Sequence, residues 1–250
     1  MLHLVDESRT EPVGMILLRS LAFQLAFAGW TLVFGVASVA LLPSRSATLA
    51  LARLWARGTL ALLRLLCGLS YEIAGRENIP AAPAIVAAKH QSAWETLALG
   101  ALFDDPAFVL KRSLLLLPFV GWCLARLDMI AIDRTGGAGA LRRMVAAARR
   151  AADRGRAIVV FPEGTRTAPG ERLPYHPGVY ALYRELALPV VPVAHNAGLF
   201  WPRRSLVRRP GRIVLSFEPA IAPGLPRAAF LAELERRIET ATQRLATGEP

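Results

Sequence analysis

His90 and Glu95 are the residues of this chain whose types and spacing most directly suggest chemistry. An imidazole followed five residues later by a carboxylate is a base with an orienting partner. The carboxylate fixes the ring tautomer and stabilises the imidazolium that forms when the ring takes up a proton. On one continuous helix, positions i and i+5 are about 140° apart and do not meet. They meet if His90 closes a strand and a helix begins near Ser92, which puts Glu95 in its first turn. Ser92 is only two residues from His90 and no G-x-S-x-G elbow occurs, so the pattern is not that of a serine hydrolase. H-E-x-x-H is also absent, and no metal site is expected.

Three further segments carry polar groups at apparent strand ends, where functional residues gather in α/β folds. Lys111 and Arg112 precede an apolar run punctuated by Pro118 and Gly121, an anion site beside a greasy surface. The only two lysines, Lys89 and Lys111, stand among 28 arginines, a hint that a compact ammonium matters at both places. In Phe161-Pro162-Glu163-Gly164-Thr165-Arg166-Thr167, Gly164 lets the backbone approach a ligand and Arg166 offers a fork to a phosphate. Glu163 can accept from ligand hydroxyls or hold Arg166. The fourth segment, Val191 to Gly198, brings His195 to a strand end, a place from which it could touch substrate. Gly136-Gly137-Ala138-Gly139 fits neither nucleotide-binding glycine pattern.

These segments need a scaffold, and the chain supplies one of alternating short apolar runs and longer helical stretches. Ala84–Ala88, Ala107–Leu110, Met129–Ile132, Ala157–Phe161, Val190–Ala194 and Ile213–Phe217 read as strands. Ala93–Leu102, Ala138–Arg154, Gly178–Ala187 and Arg227–Leu245 read as helices. The alternation predicts an α/β fold with a mixed, largely parallel sheet flanked by helices. Residues 71–250 form this domain, and residues 1–70 form two membrane-anchoring helices before it.

The anchoring expectation comes from composition. The chain is 54% hydrophobic and 20% charged, with mean hydropathy +0.37, too apolar for a disordered chain. Leu21–Leu42 contains 22 residues without a charge, enough to cross a hydrocarbon core of about 30 Å or to dip into one leaflet. The acidic leader with Asp6, Glu7 and Glu11 is unlike a signal peptide. In Leu49–Leu69, Arg53, Arg57 and Arg64 fall within about 40° of one another on a helix. That stripe suits a helix lying in the membrane interface, or the edge of an amphipathic core helix. Arginines following the apolar span place the main domain on the cytoplasmic side of a bacterial-type inner membrane.

The net charge of +11 asks for an anionic partner. Two basic clusters, Arg142/Arg143/Arg149/Arg150 and Arg203/Arg204/Arg208/Arg209/Arg212, lack the aromatics or reader motif of a nucleic-acid footprint, so a phospholipid surface is the expected partner and no nucleic acid is. Cys67 and Cys123 have no metal-ligand spacing and read as small buried hydrophobes.

In order and spacing, the four polar segments resemble the glycerolipid acyltransferase family, whose best-known member acylates lysophosphatidic acid. Its pattern is H-x-x-x-x-D, then K-x-E-L-x-x-x-P-x-x-G, then F-P-E-G-T-R, then a V-P-[VI] strand, and the likeness covers roughly residues 71–220. The resemblance implies His90 as general base, Glu95 as its orienter, and a phosphoglycerol site at Lys111, Arg112, Glu163, Gly164, Thr165 and Arg166. Arg134, in a segment like the family's strand-end arginine, is a further phosphate candidate. It also implies lysophosphatidic acid as acceptor, acyl-CoA or acyl carrier protein as donor, phosphatidic acid as product, no covalent acyl-enzyme and no cofactor. Two positions depart from the pattern: Glu95 replaces aspartate, and Ser113 replaces glutamate. The longer Glu95 side chain calls for a compensating backbone shift of about 1 Å. Other readings are a different lysophospholipid or a lyso-aminolipid as acceptor, and a non-catalytic protein that binds anionic lipid through its basic faces.

Overall fold

The structure, a computed structural model, describes residues 11–81, 83–133 and 136–248. Two long helices come first, α1 (Val13–Leu41) and α2 (Arg45–Cys67). The rest alternates as β1 (Leu69–Ala74), β2 (Ile85–Ala88), α3 (Trp94–Leu102), β3 (Ala107–Lys111), α4 (Val120–Arg126) and β4 (Ile130–Ile132). It continues through α5 (Gly137–Asp153), β5 (Ile158–Val160), α6 (Pro177–Leu186), β6 (Val190–His195), a single turn α7 (Ala197–Phe200), β7 (Gly211–Phe217) and α8 (Arg227–Thr247).

The seven strands form one sheet in the order β1-β7-β6-β2-β5-β3-β4. β6, β2, β5, β3 and β4 are mutually parallel, whereas β7 pairs antiparallel with β6 and carries β1 parallel to itself. The expected mixed, largely parallel sheet is therefore what forms. All four residues of β2 are buried, as a central strand covered on both faces requires. Its side chains divide strictly by alternation: Val86 and Ala88 join the core under α1, α2 and α3, and Ile85 and Ala87 join the core under α5, α6 and α8.

Several elements lie outside the strands and helices read from the sequence. β1 begins at Leu69, a residue read as the end of a helix; Gly68, left-handed at φ 64°, ends α2 and turns the chain into the sheet. Residues 112–126 had no assignment and form a 3-10 turn, Arg112–Leu116, followed by α4.

α1 starts earlier than its uncharged stretch, so Arg19 lies inside the helix and pairs with Glu11. Leu18, Leu21, Leu25, Leu32 and Val33 are each more than half exposed. Among the described residues this is the one helix long and apolar enough to cross a membrane. α2 is capped by the Ser44 hydroxyl, which accepts from Ala47 N at 3.3 Å. Its Ala56, Leu60, Leu63 and Cys67 pack into the sheet's core together with Phe23 of α1. Of its arginine stripe, Arg57 and Arg64 are exposed, while Arg53 pairs with Asp104 at 2.8 Å.

The two helices interlock where Trp30 Nε1 donates to the Trp55 carbonyl and Trp55 Nε1 to the Thr31 hydroxyl, both at 3.2 Å. A Cβ on Gly58 would stand 2.3 Å from the Trp30 ring. Overpacking costs about 1–3 kcal/mol, against roughly 1 kcal/mol regained in helix propensity. Gly58→Leu is therefore expected to lower Tm by several degrees in thermal unfolding; an unchanged Tm would show that Trp30 simply moves aside.

Candidate active site

Because β2, β3, β4, β5 and β6 run parallel, their C-terminal ends share one edge of the sheet, and the polar segments that leave them converge there. His90 stands two residues beyond β2, Lys111 closes β3, Phe161–Thr167 follows β5, and His195 closes β6.

The chain bends after β2 and α3 starts at Trp94, so Glu95 lies in the first helical turn, facing back to His90. His90 Nδ1 is 2.7 Å from Glu95 Oε1. Oε1 also accepts from Gln91 N at 3.1 Å and Ser92 N at 3.0 Å, and Oε2 from Ser92 N at 3.1 Å. The longer side chain thus reaches the imidazole directly. Glu95 is fully buried. Burial pushes its carboxyl up, but the hydrogen bonds from His90 and the Ser92 amide oppose it, and the group is held below its ordinary value. An ionised Glu95 makes Nδ1 the proton carrier and leaves the lone pair on Nε2. Phe161 stacks on the His90 ring at 4.2 Å between centroids and fixes its plane.

Glu163 is placed differently from either reading of it. Its carboxylate turns inward, 2% exposed, and takes no bond from Arg166. Oε2 accepts from the His90 backbone N at 2.9 Å, and Oε1 from Lys89 Nζ at 2.6 Å. His195 is likewise no substrate contact. Its Nε2 donates to the Lys89 carbonyl at 2.9 Å and its Nδ1 accepts from Ala197 N at 3.2 Å. The ring is fully buried, and burial holds it below the ordinary histidine value, which keeps it neutral. Lys89 and the His90 backbone are thereby pinned from inside the protein.

His90 opens into a cavity of about 1630 Å³. Lys111, Gly164, Thr165 and Arg166 line it, as do His176, Arg203 and Arg204. Arg112 is exposed at the start of the 3-10 turn and is not part of the lining; Arg134 lies outside the described residues. Much of the remaining wall is apolar, with Phe27, Leu32 and Phe34 from α1, Ala52 from α2, Phe108 and Leu110 from β3, and Leu124 from α4, while Gln24, Thr31, Arg53 and Asp133 add polar points. One cavity therefore joins a base, cations and a long hydrocarbon-like surface. Arg142, Arg143, Arg149 and Arg150 do form an exposed face on α5. In the second basic cluster Arg208 is withdrawn: it is 5% exposed and lies over the Trp201 ring at 4.5 Å.

Sequence reasoning noticed Lys89 only through the rarity of lysine, and it missed Glu239. Lys89 Nζ also donates to Glu239 Oε1 at 2.8 Å, across 150 positions. No local spacing announces such a partner.

Residues 70–196, which hold all four polar segments apart from the end of the last, match the Acyltransferase family. The chain is 39% identical over 234 residues to the 1-acyl-sn-glycerol-3-phosphate acyltransferase of Pseudomonas aeruginosa, covering 93% of this chain and 90% of that one. It is 31% identical over 170 residues to the 1-acyl-sn-glycerol-3-phosphate acyltransferase of Saccharomyces cerevisiae, covering 66% of this chain and 56% of that one. The crystal structure of PlsC, the 1-acyl-sn-glycerophosphate (LPA) acyltransferase of Thermotoga maritima, superposes with a TM-score of 0.74 over 91% of this chain and 96% of that one, at 23% identity, and so has the same fold. With the match extending over more than half of its length, and with a relative this similar across nearly all of it, the chain belongs to the Acyltransferase family.

Proposed function

We propose that this protein moves a fatty acyl group from a thioester donor to the free hydroxyl of 1-acylglycerol-3-phosphate, giving phosphatidic acid for phospholipid synthesis. The observation that carries this reading is that His90 lines one cavity with Lys111, Arg166, Arg203 and Arg204, and that much of the rest of its wall is apolar. An acceptor with a phosphate at one end and an acyl chain at the other matches that division of surface. The relatives' names agree with it.

In the mechanism, the phosphate rests on Arg166 and Lys111 and brings the free hydroxyl to His90 Nε2. The imidazole takes the hydroxyl proton as the oxygen attacks the thioester carbon. The C–S bond then breaks, and the imidazolium returns the proton to the departing thiolate. Glu95 stabilises the imidazolium between these steps. No acyl-enzyme is formed, and the donor, acyl-CoA or acyl carrier protein, enters as a substrate rather than a bound cofactor. The exposed apolar length of α1 supports a membrane-bound enzyme, and Arg45, Arg53, Arg57 and Arg64 after it support a cytoplasmic catalytic domain.

The test is acyl transfer by the purified protein to lysophosphatidic acid, lysophosphatidylglycerol and a lyso-aminolipid, with acyl-CoA and with acyl carrier protein as donors. Transfer to lysophosphatidic acid ahead of the others is expected. Hydrogen bonds to charged groups are worth about 1.5–3 kcal/mol, so Arg166→Ala should lower kcat/KM for that acceptor roughly 10- to 100-fold, mostly through KM. An unchanged KM in Arg166→Ala, with faster transfer to the lyso-aminolipid, would move the proposal to a phosphate-free acceptor.

A further inference from the structure

Lys89 is 1% exposed, and its ammonium is shared among three partners. Nζ donates to Glu163 Oε1 at 2.6 Å, to Glu239 Oε1 and Oε2 at 2.8 and 3.0 Å, and to the Glu171 carbonyl at 3.3 Å. Glu239 comes from the middle of α8, far beyond the residues that match the family. The Tyr175 hydroxyl donates to Glu239 Oε1 at 3.1 Å, and Arg172 Nε stands 3.9 Å from Oε2. Glu163 relays the arrangement to the base: its Oε2 accepts from His90 N at 2.9 Å, while the Thr167 hydroxyl donates to Oε1 at 3.2 Å. Lys89 and Glu239 line a cleft of about 330 Å³, separate from the cavity that His90 opens into.

Such a cluster is poorly explained by stability. Buried ion pairs can be replaced by packed apolar residues of similar volume with little loss or even a gain. Apolar residues could not, however, hold a carboxylate oxygen against the amide of the residue that carries the base.

We propose that Glu239 is a positioning residue for the base: by fixing the Lys89 ammonium it holds Glu163 against the His90 amide, and so sets where the imidazole stands in the cavity. The kinetic side of this rests on the acyl-transfer reading; the structural side does not. The groups that face Glu163 are Lys89, the His90 amide, the Thr167 hydroxyl, Tyr175 and Glu239, with Arg172 on the far side of Glu239. Burial pushes the Glu163 carboxyl up, and Lys89, with a smaller part from the His90 amide, opposes this. Without the ammonium, Glu163 takes up its proton at a higher pH, and a protonated carboxyl grips the amide less firmly.

The experiment uses the full chain in detergent micelles, as wild type, Glu239→Leu, Glu239→Gln and Lys89→Met. Hydrogen exchange of peptides overlapping His90 reads the backbone directly. Glu239→Leu is expected to speed His90 amide exchange at least about 10-fold and to lower kcat about 10-fold, with acceptor KM within about two-fold, as misplacement of a reacting group does. Glu239→Gln keeps an oxygen for Lys89 and should recover most of both. Lys89→Met should move the acid limb of the kcat profile to higher pH. Wild-type exchange in a folded Glu239→Leu, equal losses in the Leu and Gln variants, or an unmoved acid limb in Lys89→Met would each overturn the proposal.

If Glu239→Leu does not fold, the triple replacement Lys89→Met, Glu163→Leu, Glu239→Leu decides. It is expected to fold, with faster His90 exchange and slower turnover; wild-type values of both would overturn the proposal. A wild-type protein silent toward every acceptor would overturn the acyl-transfer reading instead, and the exchange data would still decide the role of Glu239.

Discussion

His90→Ala is expected to lower acyl transfer about 10²- to 10⁴-fold at saturating acceptor, the range that a positioned general base contributes. The His90 side chain is 16% exposed and borders the cavity, so truncation removes the base and the Phe161 stacking partner but no central packing. Tm should therefore stay within a few degrees of wild type, and KM for lysophosphatidic acid should change little, because the Arg166 and Lys111 side chains proposed to hold the phosphate are untouched. Parallel steady-state kinetics and thermal unfolding separate these effects. Turnover within a few-fold of wild type in His90→Ala would leave Nε2 without a part in the reaction.

Glu95→Gln should show the second largest effect, about 10²-fold in kcat, through loss of the charge that orients the ring and stabilises the imidazolium. The side chain can keep its shape, but its NH₂ group then meets a donor wherever the carboxylate met one. If the Gln oxygen keeps the place of Oε1, the NH₂ faces Ser92 N, with His195 Nε2 at 3.8 Å. An unsatisfied buried donor costs about 1–3 kcal/mol, so Tm should fall as well. Glu95→Asp preserves the charge but shortens the reach, and it should fall between wild type and Glu95→Gln. Since Glu95 is held below its ordinary value, it stays ionised through the neutral range, and wild-type activity should not decline there on its account. Equal rates in Glu95→Gln and wild type would reduce the carboxylate to a helix-start acceptor.

Much of this was legible in the chain. Ile85–Ala88 and Ile158–Val160 are short apolar runs between turn residues, and a doubly covered strand can hardly look otherwise. β1 was hidden because its first residue continues an apolar helical run and its Tyr71 and Glu72 give it the mixed face of an edge strand. The His90–Glu95 pair was readable because both members lie on one strand-to-helix turn. Glu163 was read toward the ligand because a sequence shows which groups share a loop, not which way each turns. Its true partner, Lys89, sits at the end of another strand. Glu239 could not be found at all: its contact depends on α8 packing back across the sheet after β7 has reversed direction.

The cavity also bears on what counts as the working unit. Phe27, Leu32 and Phe34 of α1 form part of its wall, and Glu239 of α8 grips the lysine beside the base. Neither helix falls within residues 70–196. A fragment cut to the recognisable domain would keep His90, Glu95 and the Phe161–Thr167 loop while losing a wall of the cavity and the far anchor of the base. The family signature thus marks the chemistry but not the machine, and grafting that segment into another scaffold would transplant a base without the surroundings that aim it.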